Sequence, residues 1–124
     1  MVKTRPVYLN LLQIRQPVPA IVSILHRISG ALLFLLIPLL LYLLQASLVS
    51  PDPTAAYYGV LAHPIVKIVL LVLLWAYLFH ICAGIRHLLF DLHIGTALGP
   101  ARAASMAVIV ISLVLTIILA VTLW

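Results

Sequence analysis

Charge is what this sequence has least of. Its 124 residues include seven basic and two acidic side chains, and the two acids are Asp52 and Asp91. A soluble domain of ordinary composition carries roughly a quarter charged residues to face water. Here 66% of the residues are hydrophobic and the mean hydropathy is +1.33, so no such surface can be built. Cysteine occurs once, at Cys82, which excludes an internal disulfide and any four-thiolate cluster supplied by this chain alone. A lone thiol within an apolar run reads as packing. The stretch MVKTRPVYLNLLQIRQPVP lacks a compact apolar segment followed by a small-residue cleavage site, so it is expected to be mature sequence and not a removable leader. Internal repeats and low-complexity tracts are also missing.

Long apolar runs are what is there. A helix of about 20 residues crosses a hydrocarbon core of ~30 Å, and three stretches qualify: Ile28–Val49, Ile65–Leu89 and Ala103–Trp124. The expectation is an all-α integral membrane protein with three transmembrane helices, forming one membrane-anchor domain over residues 1–124. The basic residues sit at span ends and not along a continuous polar face, which argues against nucleic acid as a partner and for membrane lipid. Lys3, Arg5, Arg15 and Arg27 precede the first span, Arg86 and Arg102 flank the second loop, and Lys67 alone lies at the first loop. By the positive-inside rule the N-terminus and second loop are cytoplasmic, or matrix-facing in an organelle.

Pro17 and Pro19 suit a turn and the first position of a helix, so the first helix is expected to start near Pro19 and run obliquely at the interface before crossing. Pro38 is expected to kink it. SPDPTAAYYG, with tyrosines suited to an interfacial belt, and the Gly-rich LHIGTALGPAR form the connections. The third span offers only Ser and Thr as polar groups, each able to bond its own backbone, and reads as packing and anchoring.

Chemistry concentrates in HICAGIRHLLFD, residues 80–91. At ~100° per residue His80, Gly84, His87 and Asp91 fall on one helix face. Counting back from Asp91 at the boundary puts His80 ~16 Å into the membrane. A histidine at that depth requires a partner: an interhelical hydrogen bond or a ligand would each supply one. Ala76, Ala83 and Gly84 leave a flat wall beside it where a planar macrocycle could approach. A haem b fits this pattern, with neutral His80 on the iron and its carboxylates toward cations at the cytoplasmic edge, among them His26 and Arg27. His87 reads equally as an interfacial histidine or as haem environment. His26, His63, His87 and His93 are all expected near membrane surfaces, so a second axial ligand is expected from another subunit. In SILHRISG, residues 23–30, Ser23 and Arg27 are four apart and share a face. A hydroxyl and a forked cation suit a quinone carbonyl, and equally suit a turn serine beside an anchoring arginine.

Arg5-Pro6, SILHRISG and HICAGIRHLLFD together resemble the two signature regions of the cytochrome b membrane-anchor subunit of succinate dehydrogenase, in respiratory complex II, and the length and three spans agree across nearly the whole chain. The resemblance implies a subunit of an enzyme of the tricarboxylic acid cycle and respiratory electron transport that performs no hydride chemistry itself. It implies one haem b shared with a second small membrane-anchor subunit, and an iron–sulfur subunit and a flavoprotein subunit seated on the cytoplasmic side. It makes His80 the axial haem ligand and metal-binding residue, Ser23 and Arg27 the ubiquinone-binding pair, and His26, with His87, haem environment. The expected location is the inner membrane of a bacterial cell, ahead of the mitochondrial inner membrane. The rival reading is a membrane-organising subunit without cofactor, its polar stripe serving only helix association. A proton-coupled transporter ranks last, since the first and third spans lack a carboxylate.

Overall fold

Runs of Leu, Ile, Val and Ala carry no side chains that compete for backbone hydrogen bonds, and in lipid a helix satisfies those bonds internally. The computed structural model describes residues 10, 13–49, 52 and 63–123. Lys3, Arg5, the Tyr57–Tyr58 pair and Trp124, used above for orientation and interface anchoring, lie outside them. Three helices occupy the described chain: α1 (Val18–Val49), α2 (Pro64–Asp91) and α3 (Leu98–Leu123). Each is long and apolar enough to cross a membrane, and among the described residues there is no strand. The protein is therefore a multi-pass, all-α membrane chain.

The Pro17 carbonyl accepts from the amides of Ala20 and Ile21 at 2.9 and 3.3 Å, so α1 is nucleated well before Ile28. Ser23, His26 and Arg27 are thus interior helix residues, and the helix continues through Pro38. Proline supplies no N–H, which deprives the carbonyl of Phe34 of its intrahelical donor. At the start of α2, Pro64 occupies the first turn and His63 is the N-cap, its Nδ1 accepting from the Ile65 amide at 3.3 Å. That gives His63 a structural task.

The α2–α3 turn is tight. His93 N–H donates to the Phe90 carbonyl and Ile94 N–H to that of Leu89, both at 2.9 Å, which is a Schellman closure. His93 takes the left-handed position at φ 61°, usually glycine's, and Gly95 follows at φ 74°. Pro100 then falls in the first turn of α3, where its missing N–H costs nothing.

All three helices pack on one another around Val22, Phe79, Ala83 and Val108, with Trp75, Cys82 and Ile109 against them. Cys82 is a packing residue, as its setting suggests. Ser105, Ser112 and Thr116 point inward and are small enough for close helix approach, and each donates to its own helix: to Ala101 at 2.7 Å, Ile109 at 3.0 Å and Ser112 at 2.7 Å. The outer surface is apolar, with Leu35 72% and Val121 76% exposed, as lipid-facing positions require.

Candidate functional site

The crossing of α1 and α2 gathers the histidines. Ser29, three residues beyond His26 on α1, donates its hydroxyl to the His26 carbonyl at 2.9 Å. His80 on α2 reaches across, with Nδ1 3.0 Å from the Ser29 oxygen and 3.1 Å from the same carbonyl. A hydroxyl whose hydrogen is already directed at a carbonyl offers His80 only lone pairs, and the carbonyl offers only lone pairs too. Both contacts therefore assign the imidazole proton to Nδ1. Nε2 is left with its lone pair, the form in which a neutral histidine binds a metal. His87, two turns further along α2, also has its Nδ1 engaged, donating to the Ala83 carbonyl of its own helix at 2.7 Å.

His80 and His87 are seven residues apart, about two turns, and the His26 ring stacks on both. Its centroid is 4.2 Å from that of His80, with the planes 24° apart, and 4.9 Å from that of His87, at 19°. The sequence reading puts His26 at the membrane surface and away from His80; the structure sets it beside His80. Gly30 is the reason. A Cβ there would stand 2.8 Å from His80 Cε1, so only glycine admits the imidazole at this depth and fixes how far α1 slides along α2. His26 Nε2 is buried without a hydrogen-bond partner, and it faces Gly84, where a Cβ would be 3.7 Å away. An orphaned buried nitrogen is costly unless an acceptor or donor arrives from outside the chain.

Ser23 is half-buried and Arg27 exposed, on the α1 face that the i, i+4 spacing predicts. No contact joins them to the histidine stack, although His26 lies between them in the α1 sequence. Asp91 is exposed at the end of α2 and outside the cluster. Arg86 is buried, with its guanidinium 4.4 Å above the Phe90 ring.

Ser29 is the residue that sequence reasoning passes over. Its signal was a hydroxyl one turn beyond His26 inside an apolar helix, where a polar group needs a partner. Among the described residues no group of three metal-ligating side chains exists, so an ion bound by protein side chains alone finds no cage here, whereas a macrocyclic metal centre needs one nitrogen from this chain.

Comparison with known proteins gives one answer throughout. Residues 1–119 match the family described as succinate dehydrogenase/fumarate reductase transmembrane subunit. The succinate dehydrogenase cytochrome b556 subunit of Coxiella burnetii is 38% identical over 121 residues, covering 97% of both chains. That of Paracoccus denitrificans is 35% identical over 114 residues, covering 92% of this chain and 88% of the relative. That of Rickettsia typhi is 31% identical over 115 residues, 93% and 90% respectively.

Proposed function

The chain belongs to the succinate dehydrogenase/fumarate reductase transmembrane subunit family, as a cytochrome b membrane-anchor subunit, and from that premise we propose that it binds haem b through His80, contributes Ser23 and Arg27 to a ubiquinone site, and seats the flavoprotein and iron–sulfur subunits of succinate:ubiquinone oxidoreductase. The observation that carries this reading is the pair of acceptors at His80 Nδ1, which assigns the ring proton to that nitrogen. Together they hold it there and leave Nε2 with its lone pair. Hydrogen bonds of this kind from the far nitrogen orient metal-binding histidines and raise their basicity.

The residues fit the group. When bound, haem b supplies an iron centre able to take up and release one electron. His80 would hold it by Nε2, Ser29 and the His26 carbonyl keep the imidazole in register, and the orphaned His26 Nε2 would be free to make a polar contact with it. His87, with its own Nδ1 committed to Ala83, would belong to the environment of the same group. The His26 and His80 rings are stacked with centroids 4.2 Å apart, so no macrocycle would fit between them, and any further protein ligand would come from outside this chain, as from the second small membrane anchor. The curated relatives are cytochromes by name, which agrees with a haem role.

Ser23 and Arg27 act on the quinone side. The hydroxyl and guanidinium donate to a carbonyl oxygen, and Arg27 gains most as negative charge develops there during reduction. Succinate oxidation belongs to the partner subunits, and this chain shapes the exit for their electrons. The distribution of basic residues supports an N-terminus on the cytoplasmic side of a bacterial inner membrane, which in this reading is the side on which the soluble subunits dock.

The test is His80→Leu in the assembled complex, read by its reduced-minus-oxidised visible spectrum and haem content. Loss of the b-type band is expected. A parental spectrum with full haem would overturn the assignment, and a parental complex with no b-type band at all would establish the cofactor-free reading instead.

A further inference from the structure

Between the second halves of α2 and α3's first turns lies an apolar cleft of about 480 Å³. Its walls run from Cys82 and Ile111 in the apolar zone to Gly95 and Pro100 at the connecting turn. Arg86 is the one charged side chain in the lining, and it is only 5% exposed. Its Nε is buried with no hydrogen-bond partner, and the guanidinium leans over Phe90, one turn nearer the end of α2. Neither acid of the chain lines the cleft.

A guanidinium carries five donors and cannot shed its charge, so burying it without an anion is expensive. The face of Phe90 offsets part of that cost, since a cation over an aromatic ring gains ~0.5–2 kcal/mol, but it accepts no hydrogen bond in the plane of the fork. The arrangement calls for an anion at the level of Phe90 attached to an apolar body that extends toward Cys82 and Ile111. An ionised residue at membrane depth marks a binding or transport role by default, and here the shape of the cleft says which.

We propose that the α2–α3 cleft binds an anionic phospholipid, with the phosphate paired to Arg86 and an acyl chain lying along Cys82, Ala104, Val108 and Ile111. The planar fork of arginine matches two phosphate oxygens, and the stem of Arg86 bends toward the helix end, where headgroups lie. Charge and shape together exclude the alternatives as the natural occupant: a free phosphate would leave the cleft unfilled, and a zwitterionic lipid would bring its own cation next to Arg86. This site lies on the opposite flank of α2 from the histidine stack and does not depend on haem being bound there.

The experiment uses the purified, delipidated four-subunit complex in mild detergent. Native mass spectrometry follows retention of dioleoyl phosphatidylglycerol against dioleoyl phosphatidylcholine, with glycerol 3-phosphate as competitor. The parent is expected to retain the phosphatidylglycerol about tenfold better, the size of effect that one charge-assisted contact provides. Arg86→Gln is expected to erase that preference and Arg86→Lys to keep part of it. Ala104→Leu, which fills the cleft and leaves Arg86 in place, is expected to lower retention of both lipids at unchanged haem content. A photoactivatable acyl-chain phosphatidylglycerol added to the parent is expected to label the cleft, an arm that needs no variant. Equal retention of the two lipids by the parent, labelling confined to other surfaces, or full displacement by glycerol 3-phosphate would each overturn the proposal.

Discussion

The hydroxyls of α3 and the polar groups at the α1–α2 crossing sit in equally apolar surroundings and treat their hydrogen bonds in opposite ways. Ser105, Ser112 and Thr116 each return a donor to a carbonyl of their own helix, three or four residues back. Nothing is left over, and the side chains serve as small, closed packing units. At the crossing, Ser29 and His80 bond between helices, and the ring nitrogen of His26 is buried with no partner. Capacity left unused inside a membrane marks the place where something else binds. By that criterion α3 has the character of an anchor and the α1–α2 face that of the proposed site.

The contrast is broken most severely at Arg27. Arg27→Leu is expected to lower ubiquinone reductase activity by roughly a hundredfold, the effect of deleting a donor from developing negative charge, while succinate oxidation with a soluble acceptor survives. Ser23→Ala removes one neutral hydrogen bond and is expected to cost about tenfold or less. Parental rates and apparent affinity for ubiquinone in both variants, with haem content intact, would make these residues interfacial anchors.

Next comes a pair of glycines. Gly30→Ala forces a methyl to within 2.8 Å of His80 Cε1, whereas nothing lies within 4 Å of a Cβ at Gly99. Overpacking of this kind costs ~1–3 kcal/mol, so haem content in the purified complex should fall several-fold for Gly30→Ala and stay constant for Gly99→Ala. Equal haem content in the two variants would show that α1 and α2 are not held in register by this contact.

Smaller again is Ser29→Ala, which leaves His80 Nδ1 with the His26 carbonyl alone. Losing such a supporting bond weakens metal retention by about tenfold, and a shift in haem midpoint potential is expected with it, restored by Ser29→Thr. An unmoved potential would reduce Ser29 to a helix-packing residue. Ser112→Ala should do least: about 1 kcal/mol in thermal stability of the complex and no change in the haem spectrum. A spectral change there would erase the distinction between the two regions.

Much of this was legible in the sequence. Three apolar runs gave three helices, and the 4, 3, 4 spacing from His80 to Asp91 placed the stripe on one face because helix geometry is local. The depth of His26 was not legible, since it depends on the slide of α1 against α2, which a single glycine contact sets. Arg86 was hidden for a related reason. An arginine one turn from a helix end ordinarily reaches for headgroups, and only the position of α3 encloses it. Ser29 stood in view within SILHRISG, but a serine in an apolar helix bonds its own backbone as a rule, and the reach of His80 across the crossing is a tertiary fact.

The Gly30 contact and the two acceptors at Nδ1 also bear on timing. They fix the His80 imbidazole ring by contacts within this chain, so its rotamer freedom, worth up to ~1–2 kcal/mol for a buried side chain, is lost when α1 and α2 associate. If His80 is the haem ligand proposed above, cofactor capture carries no such penalty. A preorganised ligand strengthens binding by lowering what must be ordered at the moment of contact. In the proposed role, His80 would be oriented by this chain alone, before any partner arrives, and Gly30 is the residue that permits it.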